Sequence, residues 1–136
     1  MPTATVATRL PAPLLREVQR FAKRRRLGPS EALRAIVAEW VATAKYPAIE
    51  FRDGPAGRRP GVRGGPDLWE VALAARSVGD DPTALREYFG SHLPEDVLGE
   101  VLAFIAENRD EIDAWVDEQD RLGEQMERAW RATERS

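Results

Sequence analysis

The chain has 136 residues, 43% of them hydrophobic, with 20 Lys+Arg against 23 Asp+Glu and no cysteine. That is enough chain for one ordinary domain or two very small ones. The absence of cysteine excludes disulfide staples, thiolate metal ligands and thiol nucleophiles, and fits a reducing, cytoplasmic setting. No charged start followed by an apolar run opens the chain, so no signal peptide is expected, and no stretch reaches the roughly 18 apolar residues of a membrane span.

The formal charge of -3 hides a sorted distribution. Residues 1–66 hold 13 Lys+Arg against 5 Asp+Glu, and residues 67–136 hold 7 against 18. A basic front suits an anionic partner such as nucleic acid, and an acidic back suits a basic one. A solvated surface that happens to be sorted is the plain alternative.

In chain order, Thr5-Val6-Ala7-Thr8-Arg9-Leu10 reads as a short strand of period two, with Val6, Thr8 and Leu10 on one face. A helix is expected from about Pro13 to Leu27, with Leu14, Val18, Phe21 and Ala22 in one stripe and Gly28 as its C-terminal cap. Lys23, Arg24, Arg25 and Arg26 place cations at its negative end. Ser30 is the expected N-cap of a second helix to about Ala44, with Leu33, Ile36, Val37, Trp40 and Val41 on one face. Residues 46–66 are rich in Gly, Pro and Arg, and Ala48-Ile49-Glu50-Phe51 and Pro60-Gly61-Val62-Arg63 look like two strands around a turn.

Asp67 with Glu70 forms a capping-box variant opening a helix to about Val78. Asp81-Pro82 opens another, ending near Gly90. A third opens at Leu93-Pro94-Glu95 with a buried stripe of Val97, Leu98, Val101, Leu102 and Ile105, and Asn108 breaks it. From about Asp110 to Glu134 one long polar helix carries Ile112, Trp115, Gln119, Leu122, Met126 and Ala129 at alternating spacings, a seam for a partner helix or groove.

A strand and two amphipathic helices in some 45 residues cannot bury their apolar faces alone, and a lone strand leaves its backbone groups unpaired. Pairing with a second copy answers both. Val6-Ala7-Thr8-Arg9-Leu10-Pro11, then Leu14-Leu15, then Arg25-Arg26-Leu27-Gly28-Pro29-Ser30-Glu31-Ala32 resemble the ribbon-helix-helix (MetJ/Arc-like) superfamily of bacterial repressors over residues 3–44. The resemblance implies a homodimer with an intermolecular antiparallel ribbon whose outward residues Thr5, Ala7 and Arg9 enter the major groove. Arg9 suits a guanine edge and Thr5 a base or methyl group. Ala7 stands where the family usually has a polar residue and leaves only a methyl contact. Ser30, Arg24, Arg25 and Arg26 are expected at phosphates. For Ser30 a plain helix cap, and for the arginines a solvated helix end, are the bland alternatives.

Farther on, Tyr46-Pro47-Ala48-Ile49, Gly57-Arg58-Arg59-Pro60-Gly61-Val62-Arg63-Gly64, Asp67-Leu68-Trp69-Glu70-Val71, Asp81-Pro82 with Leu85 and Tyr88-Phe89, and Pro94-Glu95-Asp96-Val97 resemble an antitoxin-like family of small winged helix-turn-helix domains. The chain departs from it at Gly64-Gly65-Pro66, where the family shows Gly-Thr-Arg. Gly57 and Gly64 as turn formers and Trp69 as a core filler is the plain reading of the same residues.

The expected architecture is therefore mainly α with short β: a ribbon-helix-helix module (1–45), a winged helix-turn-helix-like domain (46–113) and an acidic amphipathic C-terminal helix (114–136). Together the two resemblances imply an antitoxin of a type II toxin-antitoxin pair, similar to the VapB group, that represses its own operon and caps a PIN-like ribonuclease. The expected toxin contacts are Trp115, Asp117, Glu118, Leu122, Met126 and Trp130, an acidic amphipathic surface suited to a basic nuclease. Packing of that helix on its own domain or its twin competes with this reading. Stand-alone regulation with a sensing domain, and pure assembly, are the other readings. No enzyme and no cofactor are expected: His92 is the only histidine, Asp80-Asp81 and Glu95-Asp96 read as caps and first-turn acids, and residues 54–65 lack the Gly-Lys-Ser/Thr of a phosphate loop.

Overall fold

A computed structural model describes residues 2–135. Among them six helices and one two-stranded antiparallel sheet are present: α1 (Ala12–Arg25), α2 (Pro29–Lys45), β1 (Ile49–Gly54), β2 (Gly57–Val62), α3 (Leu68–Val78), α4 (Pro82–Phe89), α5 (Glu95–Glu107) and α6 (Arg109–Glu134). The chain is mainly helical with a small sheet, as the patterning predicts. It divides into two compact units, the first ending at Ala42 and the second beginning at Thr43, with α6 in the second.

The first unit has a thin core. Phe21, Ala22 and Ala32 are buried, with Val18, Leu27, Ala35 and Ile36 packed around them. The turn between the two helices differs from expectation. Arg26, not Gly28, takes the left-handed conformation (φ 55°), and Leu27 N–H donates to the Ala22 carbonyl at 2.9 Å. That bond is the six-to-one link of a helix-ending motif whose apolar residue follows the left-handed one. Here Leu27 must turn back onto Phe21 and Ala22, and this fixes the left-handed residue one position before it. Gly28 instead passes its carbonyl to Ala32 N–H at 2.9 Å, starting α2, so Pro29 fills the first helical position. Ser30 thus lies inside the first turn and is not the N-cap.

Residues 5–10 form no strand within one chain. A strand needs a neighbour for its backbone groups, and the neighbour expected for this one lies on a second chain. Val6 is 91% exposed.

The second unit has a continuous core of Ile49, Val62, Leu68, Val71, Leu85, Leu98, Val101, Ile105, Ile112 and Val116. β1 and β2 pair from Ile49↔Val62 to Gly54↔Gly57, leaving Pro55 and Ala56 as the hairpin turn. Pro60 is tolerated because both strands are edges. Gly57 (φ 106°) and Gly64 (φ 70°) occupy positive-φ positions and serve the turns, as the plain reading has it. The caps fall where expected. Glu70 carboxylate accepts from Asp67 N–H at 2.7 Å, and Asp81 carboxylate accepts from Thr83 N–H at 3.1 Å. In α5 the buried residues are Leu98, Val101, Phe104 and Ile105. Val97 and Leu102 of the expected stripe are half-buried, and Phe104 takes their place by meeting Tyr46 edge to face at 5.4 Å. Asn108 ends α5 as expected.

Candidate functional site

In the first unit the helices leave their apolar residues uncovered: Leu14, Leu15, Leu33, Val37, Trp40 and Val41 are all exposed in the single chain. Uncovered apolar surface of this extent is large for so small a unit. The residues expected at DNA lie in the same unit. Thr5, Ala7 and Arg9 are exposed on the segment ahead of α1, and Ser30 is exposed in the first turn of α2. Lys23, Arg24 and Arg25 fill the last turn of α1, where the helix dipole favours cations. Arg25 lies over the Phe21 ring at 5.6 Å, and the Arg26 backbone holds the left-handed turn. Arg24 is exposed.

In the second unit the residues expected at a toxin fall into two groups. Trp115, Asp117 and Glu118 belong to the half of α6 that packs on its own domain. Arg59 of β2, only 12% exposed, reaches Glu118 at 2.7 Å and lies over the Trp115 ring at 5.2 Å. Arg76 of α3 reaches Asp113 at 3.4 Å and Asp117 at 3.5 Å. Arg109 meets Asp80 at 3.5 Å. Ile112 and Val116 are buried beneath these pairs. Trp115, Asp117 and Glu118 are therefore partnered within the domain. Leu122, Met126 and Trp130 are 44%, 74% and 66% exposed, and every residue from 121 to 135 is exposed. They recur every four residues and form one free stripe.

A groove of about 680 Å³ opens where this stripe begins, between the hairpin turn at residues 53–57 and α6. Arg52, Arg59, Asp67, Trp69, Glu118 and Leu122 line it. Arg52 is its anchor. It donates to Glu50 at 3.1 Å, to Asp67 at 3.2 Å and to the carbonyls of Val62 and Pro66. Gly61 leaves the room it needs, since a Cβ there would overlap the guanidinium. Trp69 donates its Nε1–H to Asp67 at 3.3 Å and is only half-buried. It is a groove wall, not the core filler expected from its apolar bulk. Leu68, fully buried beside it, fills the core. Patterning missed this groove because Arg52, Asp67 and Trp69 come together only through the hairpin.

A second polar cluster joins Lys45, Tyr46 and Glu107. Lys45 Nζ lies 2.6 Å from Glu107. The hydrogen bond from Lys45, then that from Tyr46, holds the Glu107 carboxyl below its ordinary range. The same bonds to Glu107 raise Lys45 and Tyr46 above theirs. The cluster lies outside the groove.

Among the described residues no group of three or more His, Cys, Asp or Glu side chains could hold a metal. His92 is exposed, Asp80 is ion-paired, and Glu95 and Asp96 lie in the first turn of α5. No helix is long and apolar enough to cross a membrane among those residues. No family model matches the chain, and no curated protein or solved structure is significantly similar to it.

Proposed function

We propose that the chain is an operator-binding homodimer that also captures a partner protein, in the manner of an antitoxin that restrains a PIN-like ribonuclease and represses its own operon. One observation carries the reading: a unit of some 42 residues leaves six large apolar side chains of its two helices uncovered and holds a two-faced segment, residues 5–10, without a strand partner. A second copy supplies both needs by forming an antiparallel ribbon and closing the helices over it. The outward residues Thr5, Ala7 and Arg9 would then face the major groove, with Ser30 and Arg24 to Arg26 at phosphates. The second unit would present Leu122, Met126 and Trp130 to the partner. Trp115, Asp117 and Glu118 would hold the helix in place for it.

Two measurements test the reading. Arg9→Ala is expected to weaken operator binding by about 1–3 kcal/mol while the dimer persists. Co-expression with the product of the adjacent reading frame is expected to give a stable complex that restores growth. An adjacent product that is harmless alone and fails to bind removes the antitoxin assignment.

The groove favours a second reading, a stand-alone regulator whose C-terminal unit senses a small molecule. At about 680 Å³ it has the size of a ligand site, with one indole wall and a pinned arginine in a lining that includes five charged residues. That reading requires operator affinity to change with a small molecule and needs no partner protein.

A further inference from the structure

The polar groups of the groove fall into two sets, those already bound and those still open. Arg52 and Asp67 hold one another, and their other atoms go to fixed neighbours, Arg52 to Glu50 and two carbonyls and Asp67 to the Trp69 Nε1–H. Asp53 pairs with Arg58 at 3.4 Å. Arg59 and Glu118 differ. They share one bond, from Arg59 Nη2 to Glu118 Oε2 at 2.7 Å, and it leaves Arg59 Nε, Arg59 Nη1 and Glu118 Oε1 without a hydrogen-bond partner among the described residues. Gln119, half-buried and next along α6, makes no side-chain hydrogen bond there either. Among the described residues no buried side-chain nitrogen or oxygen lacks a partner, so these unbonded atoms have access to solvent, and the open space that their side chains line is the groove.

The open set selects the charge of a ligand. An anion satisfies Arg59 but meets the free Glu118 oxygen as a like charge. A cation satisfies Glu118 but meets Arg59 in the same way. The Arg59 side chain is only 12% exposed, so water and salt screen either conflict poorly. A neutral group with an acceptor and a donor side by side satisfies both: its carbonyl oxygen accepts from Arg59 and its N–H donates to Glu118. A carboxamide has that edge, and the Gln119 amide, itself donor and acceptor, can bond the same group. Trp69 spends its one N–H on Asp67, so it offers the groove ring surface, and Leu122 adds a second apolar wall. A flat ring is the body that such walls cover best.

We infer that the groove binds a small uncharged aromatic carboxamide, with the amide at the Arg59–Glu118 pair and the ring against Trp69. This deepens the sensor reading and rests on its premise that the groove is a ligand site. It does not require the ligand to act on DNA binding.

Benzamide, benzoate and benzamidine carry the same ring with a neutral, a negative and a positive group. Each is titrated into the full-length protein at one ionic strength and followed by the indole Nε1–H resonance of Trp69, assigned with Trp69→Phe. Benzamide is expected to bind about tenfold tighter than either charged analogue, roughly the worth of one hydrogen bond to a charged group. Glu118→Gln keeps an acceptor for Arg59 and removes the opposing charge, so it is expected to bring benzoate level with benzamide, with circular dichroism checking the fold. Benzoate or benzamidine binding the wild-type protein as tightly as benzamide, a preference unchanged in folded Glu118→Gln, or a Trp69 resonance that none of the three moves would each overturn the inference. Operator affinity separates this failure from that of the sensor reading. Benzamide that binds without changing operator affinity keeps the site and removes the sensor. A change produced only by benzoate or benzamidine keeps the sensor and removes the carboxamide.

Discussion

Ile112→Ala tests whether the first half of α6 is part of the domain or a free tail. Ile112 is fully buried. The substitution removes three carbons, worth about 0.8 kcal/mol each in transfer, so about 2.4 kcal/mol is lost before any cavity forms. Incomplete collapse around the void brings the expected cost to about 2–4 kcal/mol. Gln125→Ala, at an exposed position of the same helix, is the control and is expected to cost less than about 0.5 kcal/mol. Urea unfolding of the full chain, read by fluorescence in a Trp40→Phe, Trp130→Phe background, leaves Trp69 and Trp115 as reporters within the second unit. Equal midpoints for the two variants would refute the docking of α6 and return Trp115, Asp117 and Glu118 to the free surface.

Four further outcomes follow from particular contacts. Arg26→Gly relieves a left-handed arginine and is expected to stabilise the first unit by about 1 kcal/mol in thermal melts, while weakening operator binding if Arg26 meets a phosphate. Ser30→Ala, at a position that caps nothing, is expected to change stability by less than about 0.5 kcal/mol, where loss of a true cap costs about 1. Gly61→Ala is expected to displace Arg52 from Asp67 and the Val62 carbonyl, costing about 1–3 kcal/mol in urea unfolding. Glu107 has a lowered folded pKa, so its contribution is present above its unfolded value and lost as pH falls through the folded one. Lys45 and Tyr46 are raised, so theirs are lost as pH rises through their folded values. Glu107→Gln is expected to flatten both limbs of a stability-pH profile, and added salt to shrink them, because the pair is exposed.

Local rules located most elements because the signals were local. Asp67 with Glu70, Asp81 ahead of Pro82, and Asn108 between two helices act through bonds spanning four residues or fewer. The misplacements have tertiary causes. Gly28 satisfies the usual cap preference, yet Leu27 needs the core, and so Arg26 takes the strained conformation. On α6 an even 3–4 alternation picks out Trp115 and Gln119. Docking on a domain follows the helix's own 3.6-residue turn and buries Val116 instead, leaving Trp115 beside Arg59. The bulk of Trp69 says nothing of its hydrogen bond to Asp67, which holds it at the groove. Burial in the first unit was legible only in part: of the apolar stripes read on its two helices, Leu14, Leu33, Val37, Trp40 and Val41 stay exposed.

The sorted charge acquires a more specific meaning once the ion pairs are known. In the second unit Arg52, Arg58, Arg59, Arg63, Arg76, Arg86 and Arg109 each lie within 4.0 Å of a carboxylate. These arginines hold the hairpin and helices together, and a DNA phosphate would have to replace a bonded carboxylate at each. The proposed complex assigns sequence-independent affinity to the first unit, and the salt dependence of binding can measure it. Each phosphate contact contributes about 0.9 to the slope of log K against log salt, so a lost contact in each half of a dimer lowers it by about 1.8. Arg24→Ala is expected to produce that decrease, and Arg63→Ala, which releases Glu50 and the Pro47 carbonyl, none. An equal decrease from Arg63→Ala would place the β-hairpin on the DNA and overturn the assignment of nucleic-acid contact to the first unit alone.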